Sequence, residues 1–110
     1  MLQDRFTPGV DWTGYELARQ TQWQRQLHLY HVPFYYIEYG IAQLGALQLW
    51  MKAKEDPKRA LSNYRAALSL GGTRPLPELF SAAGILFDFS EKTLRPLARA
   101  LEDELQTLPA

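Results

Sequence analysis

The stretch His28-Leu-Tyr-His-Val-Pro-Phe-Tyr-Tyr-Ile-Glu-Tyr-Gly-Ile-Ala-Gln-Leu-Gly-Ala-Leu-Gln-Leu-Trp50 gathers both histidines, four of the six tyrosines and the longest apolar run of the chain. Pro33 lacks an N–H and has a fixed φ, so it suits the first turn of a helix while pushing Val32 out of the helical region. The pattern predicts a helix that starts near Pro33 and ends near Lys52–Glu55. From Phe34 to Met51 only Glu38, Gln43 and Gln48 are plainly polar, and at about 100° per residue they do not share a face. Such a helix is expected to be buried nearly all round. A membrane span is the other reading of a long apolar run, but the Glu and two Gln inside it, and the amphipathic segments on either side, favour a core helix.

Those flanking segments can be read outward from the helix. On the N-terminal side, Tyr15 to about His28 reads as a polar helix with Asp11 or Thr13 as its N-cap, and the chain turns at 29–32. Leu2 and Phe6 are spaced i, i+4 as on the last turn of a helix that Thr7-Pro8-Gly9 stops. A chain that opens in this way is expected to be a piece of a longer one. On the C-terminal side, Asp56-Pro57 supplies an N-cap and a first-turn proline. Leu61, Tyr64 and Leu68 make an amphipathic stripe up to Gly71-Gly72. A short helix follows over Pro75–Gly84, then an extended connector at Phe87-Asp-Phe89. Ser90 is expected to cap a last helix with Leu94, Leu97, Leu101, Leu105 and Leu108 on one face, kinked or restarted at Pro96. No alternating strand pattern runs longer than a few residues. The expectation is one all-α domain over residues 1–110, with about five helices around one central buried helix.

Composition narrows the function classes. One hundred and ten residues suit one domain with a modest core. The formal net charge is zero and no Lys/Arg run stands out, so nothing favours nucleic acid or an anionic membrane surface. With no cysteine, disulfides and Cys-ligated metals are excluded. The first residues show no export pattern, and a cytoplasmic location is the expectation.

Few residues could carry chemistry. His28 and His31 are i, i+3, but zinc needs further ligands, and Glu38 is the one nearby carboxylate. The tyrosines are more informative. On a continuous helix Tyr35 and Tyr39 share a face, while Tyr36, Tyr39 and Gln43 share a nearly adjacent one. Phenols there are either core residues with satisfied tips or donors lining a cleft, and a phenol neutral at pH 7 can donate to a developing oxyanion. Gly40 and Gly45 cost roughly 1 kcal/mol each inside a helix, which close packing or a ligand would explain. No His-Glu-x-x-His, Gly-x-Ser-x-Gly or phosphate-cradling glycine loop is present.

Trp23-Gln-Arg-Gln-Leu-His28, Pro33-Phe-Tyr-Tyr-Ile-Glu-Tyr39, Ala42-Gln-Leu-Gly-Ala-Leu-Gln-Leu-Trp50, Ala67-Leu-Ser-Leu-Gly-Gly72 and Pro75-Leu-Pro-Glu-Leu-Phe80 together resemble the C-terminal end of oligoendopeptidase F-type enzymes. These are zinc metallopeptidases of the thimet-oligopeptidase family, and the resemblance runs from about Phe6 to Leu105. It implies an all-helical fold several times longer, with a channel that admits short peptides. It also implies a zinc ion on a His-Glu-x-x-His helix plus a downstream Glu. By resemblance His28 matches the family's substrate-binding histidine. Tyr35 and Tyr39 match tyrosines that bind the peptide and stabilise the tetrahedral intermediate, with Tyr36 a further candidate. His31 has no counterpart. The zinc helix is missing from this sequence, so the chain by itself is expected to hold no metal and to be catalytically incomplete; zinc belongs to the full-length family.

Two other classes compete. Ala60-Leu-Ser-Asn-Tyr-Arg-Ala-Ala-Leu68 resembles the second helix of a tetratricopeptide repeat, which would make a helical interaction module, although about three repeats are needed for a stable array. A small stand-alone helical bundle binding metal through His28 and His31 is the other. The fragment reading also predicts an exposed apolar patch around Phe34, Ile41 and Trp50, with self-association that sedimentation at high concentration would detect.

Overall fold

The computed structural model describes residues 5–109. Their regular structure is all helical, with no strand among them. Six α-helices follow the helical residues Arg5 and Phe6: α1 (Glu16–Thr21), α2 (His28–His31), α3 (Ile37–Glu55), α4 (Pro57–Ser69), α5 (Leu76–Ala82) and α6 (Glu91–Thr107). Short 3-10 turns occupy Gln22–Arg25 and Gly71–Thr73. The chain leaves the helical conformation at Thr7, as the Thr-Pro-Gly signal requires; Leu2 lies outside the described residues. It divides into two compact units, Met1–Tyr36 and Ile37–Ala110.

In the C-terminal unit α3 packs on α4 and α6, and α4 packs on α5. The all-round burial predicted for α3 is realised at Leu44 and Gly45, while Ile41, Leu47, Leu49 and Trp50 are half-buried. Apolar residues are spread around this helix, and its neighbours in the chain cover only part of its circumference. Gly45 lies where α3 meets α5, since a Cβ built on it would sit 3.1 Å from Phe80 Cζ. Close packing explains that glycine. Around Gly40 the space is open.

Gln48, polar within the apolar run, makes a two-point clamp. Its amide Nε2 donates to the Leu86 carbonyl at 2.8 Å, and the Leu86 N–H donates to its Oε1 at 2.8 Å. This pairs the extended connector with α3 and satisfies both backbone groups of Leu86.

The Asp56-Pro57 start of α4 is as predicted: the Asp56 carboxylate accepts from the Arg59 N–H at 3.0 Å, and Pro57 takes the first helical position. Its stripe is not. Leu61, Tyr64 and Leu68 stay exposed, and the buried residue of α4 is Ala60. The small Ala side chain lets α4 approach its neighbours there and leaves the larger residues at the lip.

Gly84 closes the segment after α5 at φ +75, a left-handed position that glycine occupies without strain. Ser90 takes the N-cap position of α6 but makes no side-chain cap bond. The polar work is done by Asp88, which accepts from the Ser90 N–H at 3.1 Å, the Ser90 hydroxyl at 2.6 Å and the Thr93 hydroxyl. α6 runs through Pro96 without a restart. Of its leucines Leu97 is buried and Leu101 half-buried, with Leu94, Leu105 and Leu108 exposed.

The N-terminal unit departs further from expectation. The helix predicted from Tyr15 to His28 breaks into α1, a 3-10 turn and α2, with Gln26 at φ −81, ψ 85. Trp23 and Leu27 are spaced i, i+4 but Leu17 falls off their face, and all three are exposed, so a continuous helix here would have little beyond propensity to support it. The Thr21 hydroxyl donates back to the Leu17 carbonyl at 2.9 Å where α1 ends. Neither Asp11 nor Thr13 caps α1, whose N-cap residue is Tyr15. Asp11 instead accepts from the Thr13 N–H at 2.9 Å and from its hydroxyl at 2.7 Å, an Asx-type turn.

Candidate functional site

The local conformation around Pro33 sets the candidate site. Val32 lies outside the helical region at φ −140, ψ 72, as the proline after it requires. The Tyr35 N–H then donates to the Val32 carbonyl at 3.1 Å, closing a four-residue turn with Pro33 and Phe34 at its centre. Phe34 has φ +67 and is the one described non-glycine residue with positive φ. Proline second and a positive φ third is the pattern of a type II turn. This corrects the predicted helix start: a left-handed Phe34 cannot belong to a right-handed helix, so α3 begins at Ile37 rather than Pro33. Tyr35 and Tyr36 therefore lie in the turn, off the helix, and the helical-face relations predicted for them with Tyr39 do not hold.

The turn has a consequence for the rings. Tyr35 lies nearly parallel to His28, with ring centroids 6.3 Å apart and an interplanar angle of 8°. Tyr36 is tilted by 58° to the same imidazole at 5.5 Å. His28 is half-buried between residues that remain open to solvent. The structure thus brings together three of the four sequence-predicted residues, and both members of the Tyr-Tyr pair flank the histidine. In the same unit Trp23 and Tyr30 pair at 6.2 Å. Tyr39 belongs to the other unit, in the first turn of α3, and is exposed there. Of the predicted apolar patch, Phe34 is 96% exposed in the N-terminal unit, while Ile41 and Trp50 are half-buried in the C-terminal one.

The sequence placed Phe34 in an exposed apolar patch but inside a helix, not at a left-handed turn position. The signal was present in Pro-x at a turn, but the same proline also reads as a helix start, and only the closed turn decides. A left-handed non-glycine residue stores about 1–3 kcal/mol of strain. The C-terminal unit adds an apolar groove of about 370 Å³ lined by Gly45, Leu49, Tyr64, Leu68, Phe80 and Ile85, among others; Tyr64 and Leu68 of the exposed α4 stripe belong to it.

A zinc site needs at least three protein donors in one place. Among the described residues no three His, Cys, Asp or Glu side chains come together. His28, His31 and Glu38 form no such group, so the described residues do not fit the ion. No helix among the described residues is long and apolar enough to cross a membrane.

The chain is all-helical in its regular structure, with a His-Tyr-Tyr cluster in one unit and a long apolar helix in the other. The model of peptidase family M3 matches residues 4–99, and the chain belongs to that family of metallopeptidases. Among solved structures, an X-ray structure of a protein provisionally described as an oligoendopeptidase F superposes with a TM-score of 0.83 at 36% sequence identity. That match covers 96% of this chain and 19% of the other, so the chain corresponds to about a fifth of that protein's length. No curated protein matches. The tetratricopeptide alternative gives way here, because Ala60–Leu68 falls inside the span matched by the family.

Proposed function

We propose that the chain forms the C-terminal substrate-binding portion of a zinc-dependent oligoendopeptidase acting on short peptides, and that it is catalytically incomplete by itself. The observation that carries this reading is the convergence of the Tyr35 and Tyr36 rings on His28, in a chain that belongs to a peptidase family. An imidazole between two phenols offers several hydrogen-bond donors and acceptors on one open surface. That suits a peptide backbone, whose N–H and C=O groups need partners once water is displaced. Tyr39 supplies a further phenol, which donates to the oxyanion of a tetrahedral intermediate. In this reading the metal and the general base reside in a longer protein.

The test is Tyr39→Phe in a full-length oligoendopeptidase F. Loss of an oxyanion donor lowers kcat by about 10²-fold with a smaller change in KM. Unchanged kinetics would remove Tyr39 from the site.

A further inference from the structure

Tyr35 and Tyr36 are adjacent in the chain, yet both rings lie against His28, at 6.3 and 5.5 Å. Regular backbone does not allow that, because adjacent side chains stand about 100° apart on a helix and on opposite faces of a strand. The residue that breaks the regularity is Phe34, left-handed at φ +67 immediately before the pair. A right-handed Phe34 would carry the helix back toward Pro33 and set the two tyrosines on different faces of it. A bulky residue keeps a left-handed backbone only where surrounding contacts fix it. Here those contacts are the Tyr35 N–H bond to the Val32 carbonyl at 3.1 Å and the two ring contacts with His28. The Phe34 ring takes no part in them, since it is 96% exposed in the chain.

We infer that Phe34 is a positioning residue that acts through its backbone: its left-handed φ, not its ring, sets Tyr35 and Tyr36 on His28. All four residues belong to the N-terminal unit, so the geometry involves no contact between the units. The functional consequence rests on the substrate-binding reading above. Gly and Asn take up positive φ readily, whereas β-branched Val does not. The effect of a substitution should therefore follow the backbone preference of the new residue and not the size of its side chain.

The test uses a full-length oligoendopeptidase F whose matched segment is replaced by residues 23–36 of this chain, so that the rest of the peptidase is present. Crystal structures of the grafts read the rings directly. Both tyrosines should stay on His28 in Phe34→Gly and Phe34→Asn and leave it in Phe34→Val. In peptide hydrolysis Phe34→Val should raise KM about 10-fold with kcat nearly unchanged, since the lost contacts hold the substrate throughout the reaction. Phe34→Gly and Phe34→Asn should stay within about 2-fold of the unsubstituted graft. A role in folding alone would do the reverse, lowering kcat through loss of active enzyme and leaving KM in place. Rings that stay on His28 in Phe34→Val, or a KM that rises as much in Phe34→Gly and Phe34→Asn as in Phe34→Val, overturn the positioning role and leave the substrate-binding reading standing. An unchanged KM in a Phe34→Val graft whose tyrosines have left His28 overturns the substrate-binding reading itself, and the functional role of Phe34 falls with it.

Discussion

In the C-terminal unit Leu44, Ala60, Ala83, Ile85 and Leu97 are buried, each on or beside a helix that contacts another. In the N-terminal unit none of the described residues is buried, although it holds Phe6, Trp12, Trp23, Phe34 and four tyrosines. Apolar content therefore does not separate the two regions; periodicity does. α3 to α6 repeat apolar residues at helical spacing or pair through small residues, so their surfaces close on one another. The N-terminal aromatics are scattered over short turns and meet as isolated ring pairs. Side chains that stay open can meet a ligand, and His28, Tyr35 and Tyr36 lie in this unit. Packing is thus assigned to one part of the chain, and three of the four proposed binding residues to the other.

The largest expected effect tests that assignment directly. Leu44 is 4% exposed and Leu29 is 51% exposed. Leu44→Ala should cost about 2–5 kcal/mol, while Leu29→Ala should stay within about 0.5 kcal/mol. Urea denaturation followed by circular dichroism measures both. Equal losses would break the distinction between the units.

A smaller effect distinguishes two positions on α3. Phe80, against which Gly45 packs, is held edge to face by Phe87 at 5.2 Å. It therefore has little room to move, and Gly45→Ala should destabilise by about 1–3 kcal/mol through overpacking. Gly40 faces open space, so Gly40→Ala should stabilise by up to about 1 kcal/mol from helix propensity. Thermal melts read the opposite signs. Stabilisation by both would mean that Phe80 yields and that the α3–α5 contact is looser than its geometry.

The smallest effect is pH-dependent. Hydrogen bonds from the Ser90 and Thr93 hydroxyls and the Ser90 N–H hold the Asp88 carboxyl below its ordinary value. A depressed carboxylate pKa contributes stability at pH values above the unfolded pKa, about 3.9 for Asp. That contribution is lost as pH falls through the lower folded value. The melting temperature of wild type should therefore fall more steeply below about pH 4 than that of Asp88→Asn. Asp11 in the other unit is lowered in the same direction, first by the Thr13 hydroxyl, so Asp11→Asn is the matched control. A wild-type profile parallel to that of Asp88→Asn would exclude Asp88 as a cap that matters to α6.

Much of this was legible in the residues. Asp56-Pro57, the Gly84 stop and the leucine spacing from Leu94 to Leu108 each act through local backbone geometry, and local geometry is written in local sequence. Gln48 shows the limit. It reads as a polar residue in an apolar helix, and its partner, the Leu86 backbone, lies 38 positions away. The stripe of α4 was misjudged for a related reason: periodicity says which residues share a face, not which neighbour covers it. At the candidate site, His28, Tyr35 and Tyr36 were identifiable by resemblance and type. The left-handed backbone of Phe34 was hidden because Pro33 is compatible with both a helix start and a turn.

By itself, then, the sequence determined an all-helical chain, most of the helix ends after residue 50, and membership of a recognisable peptidase lineage, since capping, proline placement and apolar period act over a few residues. Only the tertiary structure decided that α3 starts at Ile37, that Ala60 rather than Leu61 is buried, and that two tyrosines turn back onto His28. Each of those outcomes depends on a turn closing or on surfaces meeting, and the energies involved belong to pairs of residues rather than to either residue alone.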